Sequence, residues 1–200
     1  MRLPAILAAA AALLLALPAQ AQIPIAQISD YLNGFRTASS EFTQVNADGS
    51  LSTGTLQLRR PGAARFDYDP PNDGLVIAGG GQVAIFDPVS NQPPEQYPLS
   101  QTPLSLILAE RVDLGRSGMV VRHGGDATQT AITLQDPAHP EYGSIQLVLT
   151  PDPVTLRQWV VTDDAGSQTT VILGDMRTGA QVASSAFNIP LEMQRRGLSN

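Results

Sequence analysis

Leu56-Gln57-Leu58-Arg59-Arg60-Pro61-Gly62-Ala63-Ala64-Arg65-Phe66-Asp67-Tyr68 reads as two strands joined by a turn at Pro61-Gly62. Apolar and polar residues alternate on both sides of that turn, the period of a strand with one buried face. Alternation places Leu56, Leu58 and Arg60 on one face and turns Arg59 toward water. If the leucines look into an apolar interior, Arg60 is carried to its margin or into it. There its five donors need acceptors, and the carbonyls of a covering helix are suitable. The residues alone also allow a second reading, an exposed arginine pair that ends an edge strand before Pro61.

Outward from this hairpin the same period recurs at Thr130 to Leu134 and at Ser144 to Leu149. Continuous apolar runs occur at Leu75 to Ala78, Val83 to Phe86, Trp159 to Thr162 and Thr169 to Leu173. Turn chemistry separates them at Asn46-Ala47-Asp48-Gly49, Asp69 to Gly74, Gly79-Gly80-Gly81 and Asp163 to Gly166. Short strands at this spacing predict an antiparallel meander, a barrel or a sandwich. Two segments depart from the pattern. Ile25, Ile28, Leu32 and Phe35 form one stripe of an amphipathic helix. Thr102-Pro103 followed by Leu104 to Glu110 predicts a capped, short apolar helix with Leu104, Ile107 and Leu108 on one face.

The chain has 200 residues, 42% apolar and 15% charged, with 17 Gly and 16 Pro, a turn-rich globular composition. There is no Cys, which removes a disulfide framework, thiolate metal sites and thiol catalysis. All twelve basic residues are Arg, and eighteen acids set the formal net charge at -6, so no nucleic-acid groove is expected. Residues 1–21 read as a secretory signal peptide. Met1-Arg2 is the positive end, Leu3 to Leu17 the apolar run, and Ala19-Gln20-Ala21 a small-x-small cleavage site. Cleavage there predicts a single exported domain over 22–200, periplasmic and without a cysteine to lipidate.

Chemistry-bearing residues are sparse. His123 and His139 lie beside Gly124-Gly125 and Pro140 and read as solvated loop histidines rather than zinc ligands. No G-x-S-x-G elbow marks a hydrolase. Gly79-Gly80-Gly81 lacks the Lys-Ser/Thr and helix of a phosphate loop and reads as a hairpin turn. Asp67/Asp69 and Asp163/Asp164 read as solvated turn acids. No catalytic, metal or cofactor site is predicted, and the chain reads as one that works with a surface.

An ordered set of pieces resembles the LolA family, periplasmic carriers of outer-membrane lipoproteins. The pieces are Phe42-Thr43-Gln44, Gly54-x-Leu56-x-Leu58 leading to Arg59-Arg60-Pro61-Gly62, and Phe66-x-Tyr68-x-Pro70-Pro71. Leu75-Val76-Ile77, Phe86-Asp87-Pro88, Thr102-Pro103-Leu104-x-Leu106-Ile107 and Phe187-Asn188-Ile189-Pro190 follow in order. The resemblance implies a mainly β fold with short helices (α+β), a strongly curved antiparallel sheet forming a half β-barrel under a helical lid. It implies that Arg60 latches the lid. It also implies that acyl chains bind an apolar cavity at Leu56, Leu58, Phe66, Tyr68, Leu147, Leu149 and Trp159, beneath lid residues Leu104, Ile107 and Leu108. The chain departs from relatives at Ala64, where they often carry a large apolar residue, and in a short tail ending at Arg195-Arg196.

The partners implied are acylated outer-membrane lipoproteins, an inner-membrane ATP-driven lipoprotein-releasing complex and an outer-membrane lipoprotein acceptor, the chain itself being a monomer. A lipoprotein acceptor of similar shape would begin with a lipidated Cys, which this chain lacks. A periplasmic lipid- or lipoprotein-binding sensor with the same half-barrel is the alternative.

Overall fold

The computed structural model describes residues 22–116 and 118–198; the expected signal peptide over 1–21 lies outside them. After helix α1 (Ile25–Asn33) come β1 (Thr37–Val45), β2 (Leu51–Arg59), β3 (Ala63–Tyr68), β4 (Leu75–Gly79), β5 (Gln82–Phe86) and β6 (Glu95–Pro98). Helix α2 (Leu104–Leu108) leads to β7 (Val120–Gly125), β8 (Thr130–Gln135), β9 (Ser144–Thr150), β10 (Thr155–Thr162), β11 (Gln168–Leu173), the short β12 (Arg177–Thr178) and helix α3 (Ile189–Arg195).

The strands form one antiparallel sheet in the order β6-β5-β4-β3-β2-β1-β11-β10-β9-β8-β7, with β12 also on β1. Two meanders are thus sewn together by the β1–β11 pair, Phe42 opposite Leu173. The outer strands β6 and β7 do not pair with each other, so the sheet curves without closing. The chain passes from one free edge to the other through α2 and residues 109–119. The cover over the concave face is thus α1 together with this crossover between the sheet's own two edges.

Alternation in the strands decides which side chains meet the cover. Leu56 lies opposite Phe66, and Leu58 opposite Ala64. These four pack in one buried cluster with Ile28 and Leu32 of α1, Ile107 and Leu108 of α2, and Leu147, Leu149 and Trp159 from the other meander. Ala64 is fully buried there, between Leu58 and Ala78 of the neighbouring strands.

The continuous apolar runs have a different cause. On β4 and β5, Val76, Ala78 and Val83 face the concave cluster. Leu75, Ile77, Ala84 and Phe86 face outward into a second cluster with Phe187 and Ile189. A strand buried on both faces loses its alternation. The cover on the outer face is the C-terminal arm. Asn188 caps α3 through Oδ1, which accepts from the Leu191 amide at 2.9 Å, with Pro190 in the first turn. Gly80 and Gly81 (φ 59° and 80°) make the tight β4–β5 turn, and Gly79 leaves room for the Phe187 carbonyl, which would lie 2.0 Å from any Cβ there.

Three expectations are corrected. Asp67 is no turn acid; it pairs with Arg65 Nη2 at 2.7 Å on the outer face, and Arg65 Nη1 reaches Glu192 of α3 at 3.2 Å. His123 sits in the edge strand β7, with Nε2 3.0 Å from the Ile23 carbonyl and Nδ1 3.2 Å from Gln22 Nε2, so it fastens the segment that precedes α1. Thr102 does not cap α2. Its hydroxyl donates to the Leu99 carbonyl at 2.8 Å, completing the preceding turn instead, and the helix ends at Leu108.

Candidate functional site

β2 is an interior strand, paired with β1 on one side and β3 on the other, and this settles the two readings of its arginines. Arg59 points outward and its Nη1 donates to Ser184 Oγ of the C-terminal arm. Arg60 points inward and is 6% exposed.

The Arg60 guanidinium donates from Nε and Nη2 to the Ala109 carbonyl at 3.1 and 3.0 Å, and from Nη2 to the Glu110 carbonyl at 3.4 Å. Nη1 donates to the Leu32 carbonyl, and Nη2 also reaches Asn33 Oδ1 at 3.1 Å. Leu32 and Asn33 are the last turn of α1; Ala109 and Glu110 follow α2 directly. A helix end carries unpaired carbonyls and partial negative charge, so one guanidinium serves both ends at once. The next turn assists, since the Gly62 amide donates to the Leu108 carbonyl at 2.8 Å.

Among the described residues no carboxylate lies within salt-bridge distance of Arg60. Burial, and then the like charge of Arg36, lowers the Arg60 pKa from its ordinary value. A hydrogen-bonded cation held by neutral carbonyls is a strong but breakable attachment: every bond is to a segment of the cover and none to a fixed counter-ion.

Asn33 extends this attachment and was not singled out from the sequence. Its Nδ2 donates to the Val112 carbonyl at 2.7 Å while Oδ1 accepts from the Val112 amide at 2.9 Å, so the side chain pairs with the cover as a strand would. The Asn33-Gly34 helix-end signal is visible in the sequence, but a contact 79 residues away is not.

The other predicted residues divide into two groups. Leu56, Leu58, Leu147, Leu149, Ile107 and Leu108 are buried against one another. Phe66, Tyr68, Trp159 and Leu104 border a partly open cavity of about 260 Å3, together with Tyr97, Thr102 and the aliphatic side chains of β4, β5, β10 and β11. Edge-to-face contacts build its wall: Phe42 to Phe66 at 5.6 Å, Phe42 to Tyr68 at 5.2 Å and Phe66 to Trp159 at 6.3 Å. The Tyr68 hydroxyl donates to Gln44 Oε1 at 2.7 Å, and burial, partly offset by that bond, pushes its pKa up to about 12.

A family model described as outer membrane lipoprotein carrier protein LolA matches residues 33–190, from the Asn33 clamp to the start of α3. The chain belongs to the LolA family. Among curated proteins, this LolA-family chain is similar to outer-membrane lipoprotein carrier proteins from Pseudomonas paraeruginosa, 25% identical with 82% of this chain and 81% of the relative covered, and from Methylococcus capsulatus, 26% identical with 82% of each covered. Among solved structures it is similar to a LolA superfamily protein from Nitrosomonas europaea, with a TM-score of 0.42 and 11% identity over 82% of this chain and 97% of that one. The LolA match spans every strand of the sheet, all of α2 and, of the α1 end that Arg60 joins, Asn33.

Proposed function

We propose that this protein is a periplasmic carrier that accepts acylated lipoproteins released from the inner membrane by an ATP-driven complex and delivers them to an acceptor at the outer membrane. The acyl chains lie on the apolar concave face, and α1, α2 and residues 109–114 form the lid. The observation that carries this reading is the attachment of both lid segments to one buried cation, Arg60, directly above an aliphatic interior. The names of the Pseudomonas and Methylococcus relatives support the same cargo.

Magnitudes favour a lid that moves. Leu56, Leu58, Leu147 and Leu149 are buried in the closed state, and the present cavity of about 260 Å3 borders none of them. Loading therefore requires α2 to withdraw and Leu56, Leu58, Leu147 and Leu149 to become chain-binding surface. Each buried methylene contributes about 0.8 kcal/mol, so a fully enclosed sixteen-carbon chain would gain about 12 kcal/mol and leave very slowly. The lost lid contacts of the closed state offset part of that gain. Breaking the Arg60 bonds thus lowers the affinity to a level compatible with onward transfer.

A release assay tests this. Residues 22–200 are added to spheroplasts carrying a labelled outer-membrane lipoprotein, with a known carrier run in parallel. The proposal expects label to leave as a soluble one-to-one complex, and ATP depletion to stop it. Release by the known carrier alone contradicts the carrier role and moves the reading to a lipid-binding sensor.

A further inference from the structure

The 260 Å3 cavity is lined mainly by apolar side chains, and the hydrogens of its few hydroxyl and amide groups are not equally free. Tyr68 spends its hydroxyl hydrogen on Gln44, and Gln44 in turn donates to Asn46 Oδ1 at 2.6 Å. Thr102 spends its own on the Leu99 carbonyl. Tyr97 does not. It stands on β6, the free edge of the sheet beside the start of α2, opposite Val83, and packs half-buried against the concave cluster. Among the described residues no protein group hydrogen-bonds its hydroxyl, which keeps contact with solvent. Burial already raises its pKa, as does the nearby charge of Glu95, so the phenol is neutral and a donor near pH 7.

A chain that fills this cavity strips water from the Tyr97 hydroxyl. Methylenes bring no acceptor, and a phenol left dry and unpaired is costly. The acyl group has one acceptor, the carbonyl where the chain joins its ester or amide. We propose that Tyr97 donates a hydrogen bond to the carbonyl at the head of a bound acyl chain, making it a specificity residue for acyl groups over plain hydrocarbon. This rests on the acyl-carrier reading and adds to it the part of the cargo that is recognised. A site built to hydrogen-bond a group discriminates against the analogue that lacks it, because its own polar atom is then stranded.

Trp159, the sole tryptophan, lines the same cavity and reports occupancy. The test titrates the protein with 9,10-dibrominated chains of equal length, a methyl ester, an N-methyl amide and an alkane, and with the three bromine-free counterparts as controls, each delivered from cyclodextrin, reading Trp159 quenching. The wild type is expected to bind the ester or the amide about three- to tenfold more tightly than the alkane, the range of one neutral hydrogen bond. The arm that shows the preference tells which carbonyl is read. Tyr97→Phe, which keeps the ring against Val83, is expected to abolish that preference while still binding the alkane. Thr169→Val, which removes the uncommitted hydroxyl on the opposite wall, is expected to retain it. Equal quenching by all three chains in the wild type, or a preference that survives Tyr97→Phe or vanishes in Thr169→Val, overturns the Tyr97 assignment and leaves the carrier reading standing. Failure of every chain to quench Trp159 overturns both.

Discussion

Arg60 and Ala109 are joined by two hydrogen bonds, from Nε at 3.1 Å and from Nη2 at 3.0 Å to the same carbonyl oxygen, across 49 residues of chain. The donor is fixed by an interior strand and the acceptor lies in the crossover between the sheet's two free edges. This contact, with its counterpart at Leu32, is where the sheet holds its cover.

Arg60→Leu keeps the strand and an inward apolar side chain but removes every one of these donors. The carbonyls of Leu32 and Ala109 lose their partner, at a cost of about 1–3 kcal/mol for a buried group left unpaired, while that of the exposed Glu110 turns to water. Urea denaturation is expected to show that loss in the midpoint with an unchanged slope. In the carrier reading the variant still takes up lipoprotein and transfers it poorly; unimpaired transfer argues against the latch.

The two groups of apolar residues respond differently to truncation. Leu147→Ala opens a void in a fully buried position and is expected to cost 2–5 kcal/mol. Leu104→Ala trims a half-exposed cavity wall and is expected to cost about 1 kcal/mol or less, while weakening uptake of a brominated acyl chain. Equal losses at the two sites in urea would show that the cavity wall is as integral as the interior.

Gly54 lies opposite Tyr68, and a Cβ there would fall 2.1 Å from the Asp67 carbonyl oxygen and 2.9 Å from Phe42 Cε1. Gly54→Ala must therefore part β2 from β3 or displace the aromatic wall. A loss of about 3 kcal/mol or more is expected, read as a lowered Tm and a changed Trp159 emission. Gly124→Ala, in the edge strand β7 with nothing near its Cβ position and no positive φ, serves as the control.

Acid should loosen the C-terminal arm. Burial alone raises the Glu192 pKa, but hydrogen bonds and charge from Arg196 and Arg65 outweigh it, so the pKa lies below the ordinary glutamate value. A carboxylate with a depressed folded pKa contributes stability that is present above its unfolded pKa of about 4.3 and is lost as pH falls through the folded value. Measured against intrinsic exchange at the same pH, the arm's amides are expected to lose protection below about pH 4 in the wild type. Glu192→Gln should show low protection already at neutral pH, with little further loss on acidification.

The inward placement of Arg60 is legible in the sequence because it is local. Alternation from Leu56 to Tyr68 assigns faces without knowledge of partners, and Arg60 inherits its inward phase from the leucines before it. The outer cluster is less legible: the continuous run of β4 signals two buried faces, but only the fold reveals that Phe187 and Ile189 cover the second one. Asn33 and Tyr97 are not legible at all. Each matters through a contact or a cavity assembled from distant segments, which the neighbouring residues do not reveal even where, as at Asn33-Gly34, they mark a helix end.

If acyl chains displace the lid from the concave face, amide hydrogen exchange of the one-to-one lipoprotein complex reports it. Amides of residues 104–114 are expected to lose protection on loading while those of β9 and β10, which form the floor, keep theirs. An unchanged exchange pattern over 104–114 in a complex that carries bound lipoprotein means that the lid stays in place and the chains bind elsewhere.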